Sequence, residues 1–382
     1  MLKLIENAEI YAPVPLGKGA LLLAAGKILK VGSINRKSVE ALGIELEVID
    51  AAGCLVTPGL LDPHEHLLGG SGEDGFASQS PEISASEIVE AGITTVVGCL
   101  GVDTTMKTLP GLLAKVKGLN EEGLNAFMWS GGYNVPPTTI TKDTRDDILF
   151  IAEVIGAGEV AISDERSTEP DFHELAHLVH DAYVGGMLSR KSGRTHFHVG
   201  SGPKRLQLLR DLIEKDDVKP EWLYPTHINR SEELMKEAIE LAGKGSFVDI
   251  DTVDEDLPKW LKFYRKNGGD MTKLTLSSDA SITSPKNLFG QMRACVLEHR
   301  FALEEVLPLV TENTAKALKL GGKGKLEAGK SADILLLDKE TLELREVIAS
   351  GKRLLKNGEI AFKESFLKDS NRNISLTGDK TT

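Results

Sequence analysis

Cysteine is scarce in this chain of 382 residues: Cys54, Cys99 and Cys295 are widely separated and odd in number. That usage argues against a disulfide framework and against a thiolate zinc cluster, so all three are expected to be buried, reduced thiols. Long apolar runs are missing too. No stretch approaches the ~20 apolar residues of a membrane span, and Met1-Leu2-Lys3-Leu4-Ile5-Glu6-Asn7 breaks its apolar run with charge before a signal sequence can form. The expectation is a cytoplasmic protein with no membrane partner. A basic excess is also absent, since 45 Lys and Arg face 57 Asp and Glu for a net charge of -12. This balance argues against nucleic acid as a partner and favours solubility. No internal repeat or low-complexity tract is visible.

What the chain does have is enough apolar content, 41%, to bury one large core beside a small accessory unit. The apolar run Cys54-Leu55-Val56-Thr57-Pro58-Gly59-Leu60-Leu61 leads into Asp62-Pro63-His64-Glu65-His66 and a Gly-rich loop. Later strand candidates are Thr94 to Leu100, Asn125 to Ser130, a short stretch around Glu159, Thr195 to Val199, Leu223 to His227, Phe247 to Asp251 and Leu274 to Asp279. Their ends recur roughly every thirty residues with helical patterns between, the period of strand-helix units closing into an α/β barrel of the (β/α)8 TIM type. Residues 1–53 read as short β-segments separated by Gly and Pro turns, and a matching set fills 326–366, with Asn357-Gly358 as a hairpin turn. Both ends are expected to pair into one small β-sandwich beside a catalytic barrel over 54–325. Residues 367–382 are polar and are expected to form a loose tail without chemistry.

Active sites of such barrels lie at the C-terminal ends of the strands. Six polar residues fall there: His64, His66, Glu159, His198, His227 and Asp279, the ligand types a two-metal hydrolase needs. In a His-x-His pair on a strand both imidazoles share a face, so two rings can hold one ion. Such a pair alone is as well read as two loop residues; four further ligands at strand ends favour metal. Glu159 has a rival reading as a helix-start or surface carboxylate, because the register around Gly156-Ala157-Gly158 is open by one residue.

The motifs Val56-Thr57-Pro58-Gly59-Leu60-Leu61-Asp62-Pro63-His64-Glu65-His66, Gly72-Glu73, Gly132-Tyr133-Asn134-Val135-Pro136, Ser163-Asp164-Glu165-Arg166-Ser167, Pro225-Thr226-His227-Ile228-Asn229-Arg230 and Ser277-Ser278-Asp279 extend over nearly the whole chain. Together they resemble the amidohydrolase superfamily and, within it, the isoaspartyl dipeptidases, also called β-aspartyl peptidases. The resemblance implies two divalent ions, zinc in first place. His64, His66 and Asp279 would hold one and His198 and His227 the other, with a bridging carboxylate and a bridging hydroxide as nucleophile. It implies Asp279 as general base and acid. It further assigns Glu73 to a substrate ammonium, Tyr133 to the reacting carbonyl, Arg166 and Arg230 to carboxylates, and Thr283, or else Ser284, to a hydroxyl contact. An isoaspartyl dipeptide has one ammonium and two carboxylates, which one Glu and two Arg complement. The chain departs from the better-known pattern at the bridge. Where that pattern has a carboxylated lysine, this sequence has Glu159, and no lysine occurs between Lys142 and Lys191. Glu is shorter, so the fourth-strand backbone must come closer, which Gly156 and Gly158 permit.

The expected activity is hydrolysis of β-linked isoaspartyl dipeptides, with a homo-oligomer implied by the resemblance. One alternative is a related amidohydrolase for N-acyl amino acids or cyclic imides, which would not need Glu73 for an ammonium. Another is a non-catalytic assembly protein, disfavoured because every metal ligand is present. Arg166 and Arg230 also have plainer readings as partners of Asp164 and Glu165 or of Glu232 and Glu233, and Tyr133 as packing on Pro136. His173, His177 and His180 share one helix face and read as surface groups rather than a second metal site. His196 reads as a packed histidine, His299 as a surface residue, and Gly321-Gly322-Lys323-Gly324 as a linker.

Overall fold

The computed structural model describes residues 1–368, 370 and 371. The chain opens with five strands, β1 (Leu2–Tyr11), β2 (Pro15–Ala24), β3 (Lys27–Gly32), β4 (Leu46–Asp50) and β5 (Cys54–Pro58). Eight barrel strands follow: β6 (Leu60–Glu65), β7 (Ile93–Gly98), β8 (Asn125–Ser130), β9 (Val154–Ile162), β10 (Thr195–Val199), β11 (Leu223–Thr226), β12 (Val248–Asp251) and β13 (Leu274–Ser277). Four short strands close the described chain: β14 (Ile334–Asp338), β15 (Leu344–Ala349), β16 (Lys352–Lys356) and β17 (Glu359–Ile360).

Parallel ladders run in order from β6 to β11, and β12 pairs with β13. Two seams complete the ring. At one, the His66 N–H donates to the Ala280 carbonyl (2.9 Å) and the Asp279 N–H to the His64 carbonyl (3.1 Å). At the other, Thr226 Oγ1 donates to Asp249 Oδ2 (2.8 Å) and Ser246 Oγ to the Leu223 carbonyl (2.7 Å). A helix follows each strand, with local signals at its ends. The helix Phe172–Ser189 starts on a capping box between Asp171 and Glu174, and Leu109–Glu122 stops at Gly123, whose φ of 111° favours glycine. Apolar side chains such as Leu60, Val96, Val160, Phe197, Leu209 and Leu241 fill the layer between strands and helices. Inside the barrel, the Trp129 ring stacks on His196 with centroids 5.2 Å apart, and Tyr224 lies alongside. Beside these rings the buried Asp249 carboxylate accepts from the hydroxyls of Thr226, Thr275 and Ser277, so the barrel below the site is filled by aromatic side chains and a satisfied polar cluster.

The two chain ends meet in one nine-stranded sheet, ordered β17-β16-β15-β14-β5-β1-β2-β3, with β4 also on β1. The first half of β1 pairs with β4 and its second half with β5, so a single strand ties both parts together. Ile5, Ile10, Leu21, Ile28, Val56 and Ile334 form a core of its own. Asn357 and Gly358 take positive φ (51° and 81°) between β16 and β17, at the hairpin turn read from the sequence. One boundary differs from expectation. The run 54–61 is not one strand. β5 pairs with β1 and β14 in the end sheet, and β6 pairs with β7 in the barrel. Gly59 is the corner: a Cβ there would sit 2.9 Å from Thr94 Cβ, so only glycine turns the chain so closely. The passage into the barrel therefore falls at residue 59, not after residue 53. The tail expected over 367–382 lies for the most part outside the described residues. Among the described residues, no helix is long and apolar enough to cross a membrane.

Candidate active site and metal centre

Two bulges aim the ligands. Asp62 pairs with Val96 but Glu65 with Gly98, so β6 carries one extra residue around Pro63-His64, a place in a ladder where proline is tolerated. Opposite β10, Ala157 pairs with Thr195 but Val160 with Phe197, which puts one extra residue in β9 beside Glu159. Glycine makes this approach feasible. A Cβ on Gly156 would stand 2.6 Å from the Trp129 ring, and one on Gly158 would stand 2.7 Å from the His196 carbonyl. Gly158 also has a φ of 138°.

The result is a closely packed set of donors. Glu159 Oε2 lies 3.1 Å from His64 Nε2 and 3.7 Å from His66 Nε2. Its other oxygen, Oε1, lies 2.7 Å from His198 Nδ1 and 3.3 Å from His227 Nε2. Asp279 Oδ1 reaches His66 Nε2 at 3.1 Å and His64 Nε2 at 3.4 Å, and its Oδ2 stands 4.0 Å from His227 Nε2. Both ring nitrogens of His64, and Glu159 Oε2, are buried with no hydrogen-bond partner among the described residues. Buried polar atoms are ordinarily satisfied, so His64 Nε2 and Glu159 Oε2, unpartnered and 3.1 Å apart, mark the place of a bound cation. Imidazole and carboxylate donors suit a divalent transition ion, and the residues present fit one.

The electrostatics agree. Burial alone would raise the Glu159 carboxyl, but His64 and His198 beside it pull it well below its usual range. Burial disfavours charge on His227, yet its bond to Asp251, with Glu159 next, lifts the imidazole to about 9. The pull these carboxylates exert on a proton is the pull a metal cation would meet.

Several residues around this set were given no role at the centre from the sequence: Asp164 was read only as a partner of Arg166 and Cys99 only as a buried thiol. Asp251 Oδ2 accepts from His227 Nδ1 at 2.8 Å, leaving Nε2 to face Glu159. Asp164 Oδ2 lies 3.0 Å from His198 Nε2 while its Oδ1 accepts from Arg166 Nε at 2.8 Å. The Arg166 guanidinium, with His198 next, holds the Asp164 carboxyl well below the ordinary range. Cys99, just past β7, is buried at the same place, whereas Cys54 is only half-buried, contrary to expectation. The sole sequence signal for these groups is a polar residue at or just beyond a barrel strand end.

A cavity of about 220 Å³ opens over the centre, lined among others by Glu73, Asp103, Lys107, Tyr133, Arg166 and Arg230. Tyr133 Oη lies 2.7 Å from His198 Nδ1. Burial, with the Glu159 charge next, pushes its hydroxyl well above the usual value, so it remains a neutral donor. Arg166 is held on both sides, donating from Nε and Nη2 to Asp164 and from Nη1 to Glu73 at 2.8 Å. Arg230 is exposed and makes no ion pair with Glu232 or Glu233 among the described residues; its Nη2 lies 3.3 Å from His198 Nε2. Thr283 is not brought to the cavity. Asp279 has a φ of 47° and Ser80 Oγ holds the Ser281 carbonyl at 2.7 Å, so Ser281 and Ile282 line the wall. Thr283 Oγ1 is buried with no partner among the described residues, and Ser284 is exposed.

The remaining histidines lie apart from the site or beneath it. His177 pairs with Asp181 (3.4 Å) and His180 with Asp216 (3.1 Å), while His173 and His299 are exposed. His196 binds the Tyr224 carbonyl through Nδ1 at 3.0 Å, below the metal ligands.

The family model for the amidohydrolase family matches residues 266–365. An imidazolonepropionase from Fusobacterium nucleatum is 23% identical over 95% of both chains. An atrazine chlorohydrolase from Arthrobacter aurescens TC1, solved with zinc, shares the fold at 16% identity and a TM-score of 0.66, covering 94% of this chain and 97% of that one. A β-aspartyl dipeptidase from the thermophilic, keratin-degrading Fervidobacterium islandicum AW-1 is far more similar. It is 40% identical with a TM-score of 0.91, over 95% of this chain and 99% of its own. A further structure of that enzyme, in complex with β-Asp-Leu, gives 38% identity and 0.89 over the same shares. With the likeness running almost end to end, this chain belongs to the β-aspartyl (isoaspartyl) dipeptidase family of metal-dependent amidohydrolases and is a hydrolase.

Proposed function

We propose that this enzyme hydrolyses dipeptides whose N-terminal aspartate is joined through its β-carboxyl, using two divalent ions, zinc in first place. His64, His66 and Asp279 would hold one ion and His198 and His227 the other, with Glu159 as the carboxylate between them. The observation that carries this reading is the split address of Glu159, with one oxygen turned to His64 and His66 and the other to His198 and His227. The substrate class rests on the likeness to an enzyme solved with β-Asp-Leu. Bound ions supply a water acidic enough to attack at neutral pH and polarise the amide carbonyl.

The side chains do the rest. Asp279 accepts a proton from the attacking water as the new C–O bond forms and returns it to the departing nitrogen as the C–N bond breaks. The products are aspartate and the second amino acid. Tyr133, a neutral hydroxyl at the cavity wall, donates to the oxygen on which negative charge develops. Arg230, without a carboxylate partner among the described residues, takes a substrate carboxylate. For Glu73 to receive the ammonium and Arg166 the other carboxylate, substrate must replace the Glu73–Arg166 pair. Three unpaired thiols support a reducing compartment, the cytoplasm. A homo-oligomer is the assembly this reading carries, to be checked by light scattering.

The test compares isoAsp-Leu, α-linked Asp-Leu and N-acetyl-Asp with zinc-loaded protein in bicarbonate-free buffer. Cleavage of isoAsp-Leu alone is expected. Cleavage of N-acetyl-Asp alone would replace the peptidase reading, and a requirement for bicarbonate would remove Glu159 as the bridge.

A further inference from the structure

The ligand set assigned above contains only nitrogen and oxygen donors, yet a sulfur stands among them. Cys99 is 1% exposed and forms no disulfide among the described residues. Its Sγ lies 3.8 Å from His66 Nδ1 and 3.8 Å from the Glu65 carbonyl. One donor atom each from His64, His66, Cys99 and Glu159 falls within 4.8 Å of all the others. The neighbours are open ones, since His64 Nδ1, His64 Nε2 and Glu159 Oε2 have no hydrogen-bond partner among the described residues. Zinc binds sulfur at about 2.3 Å and imidazole nitrogen at about 2.0–2.1 Å, so two such donors on one ion stand up to roughly 4.4 Å apart. The 3.8 Å contact is to Nδ1 rather than to the Nε2 that faces Glu159 and Asp279, but the four donors of the set, one atom from each residue, lie within 4.8 Å of one another, close to that limit.

We propose that Cys99 is a ligand of the ion held by His64 and His66, contributing a thiolate beside Glu159 and Asp279. The inference rests on the two-metal reading of the same site. A thiolate softens the donor set, favouring zinc and cadmium over manganese and magnesium, and adds a negative charge where two imidazoles bring none. The plainer role for Cys99 is that of a small apolar filler packed with Val97 and Trp129.

Cobalt substitution separates the two. Full-length protein loaded with Co²⁺ is assayed for bound cobalt by elemental analysis and for thiolate-to-cobalt charge transfer in the near ultraviolet. Cys99→Ala and Cys99→Ser, checked for native circular dichroism, serve as comparisons. The expected result is two ions per chain with a charge-transfer band in the unmodified protein. In both variants the band is lost and one of the two ions is released at a lower chelator concentration. Two bound ions without the band, or a band that persists in both variants, would overturn the ligand role of Cys99 and leave the two-metal reading intact. Failure to bind any divalent ion would overturn both. Because the spectrum of the unmodified protein decides by itself, the test survives a variant that does not fold.

Discussion

Asp251 shows how a buried carboxylate acts through a neighbour. By accepting from His227 Nδ1 it fixes which nitrogen turns toward Glu159, and groups behind a metal ligand typically contribute about 10–100-fold in affinity. Asp251→Asn should therefore weaken zinc at the His227 side by roughly that factor while the far-ultraviolet spectrum stays unchanged. Chelator competition checks it, and undiminished affinity would release Asp251 from this role. The six candidate ligands were legible because each has a metal-binding side chain and five lie at or just past a strand end, while Glu159 sits three residues short of the end of β9. Asp251 and Asp164 end or follow strands too, but which neighbour they meet depends on register across the barrel. The grip of Asp164 on Arg166 was open to the sequence as the plainer reading of that arginine, but the grip of Glu73 was hidden: residues 73 and 166 meet only once the loops beyond β6 and β9 are placed.

At the scale of elements, the strand-helix alternation was readable because each barrel strand is a short apolar run with a polar end. Asn125 to Ser130 and Thr195 to Val199 match the observed strands residue for residue. The bulges were not readable, since an extra residue shows only against a partner strand. That in β9 depends on Gly158. Gly158→Ala would place a methyl 2.7 Å from the His196 carbonyl at a φ of 138°, a conformation that costs an ordinary residue about 1–3 kcal/mol. The variant should melt several degrees lower and retain less metal at equal protein concentration. Calorimetry paired with elemental analysis reads both, and unchanged metal content would mean that Glu159 keeps its aim without the glycine. The split of the 54–61 run escaped notice because an unbroken apolar stretch does not reveal that its two halves pair in different sheets.

For the molecule as a whole, the joint between end sheet and barrel centres on Asp333. Its carboxylate takes Lys323 Nζ at 2.7 Å, Asn125 Nδ2 at 3.1 Å and the Ser350 N–H at 2.7 Å, joining β8 to the turn after β15. Asp333→Ala strands a largely buried lysine, and removing one partner of such a pair costs about 3–5 kcal/mol. We expect a lower melting temperature with kcat unchanged below it; equal stability would show that the joint bears no load. The sandwich of both ends was legible as composition, while its single hydrogen-bonded sheet was not, because β1 serves two partners along its length.

That sheet also sets a timetable for synthesis. β5 finds β1 beside it at once, but its other edge waits for β14, made roughly 275 residues later. At about 5–20 residues per second the wait lasts from roughly a quarter of a minute to nearly a minute. Throughout it, a row of unpaired backbone groups on Cys54–Pro58 is open to other chains, so the nascent protein stays exposed to misassembly even after the last barrel strand has been made.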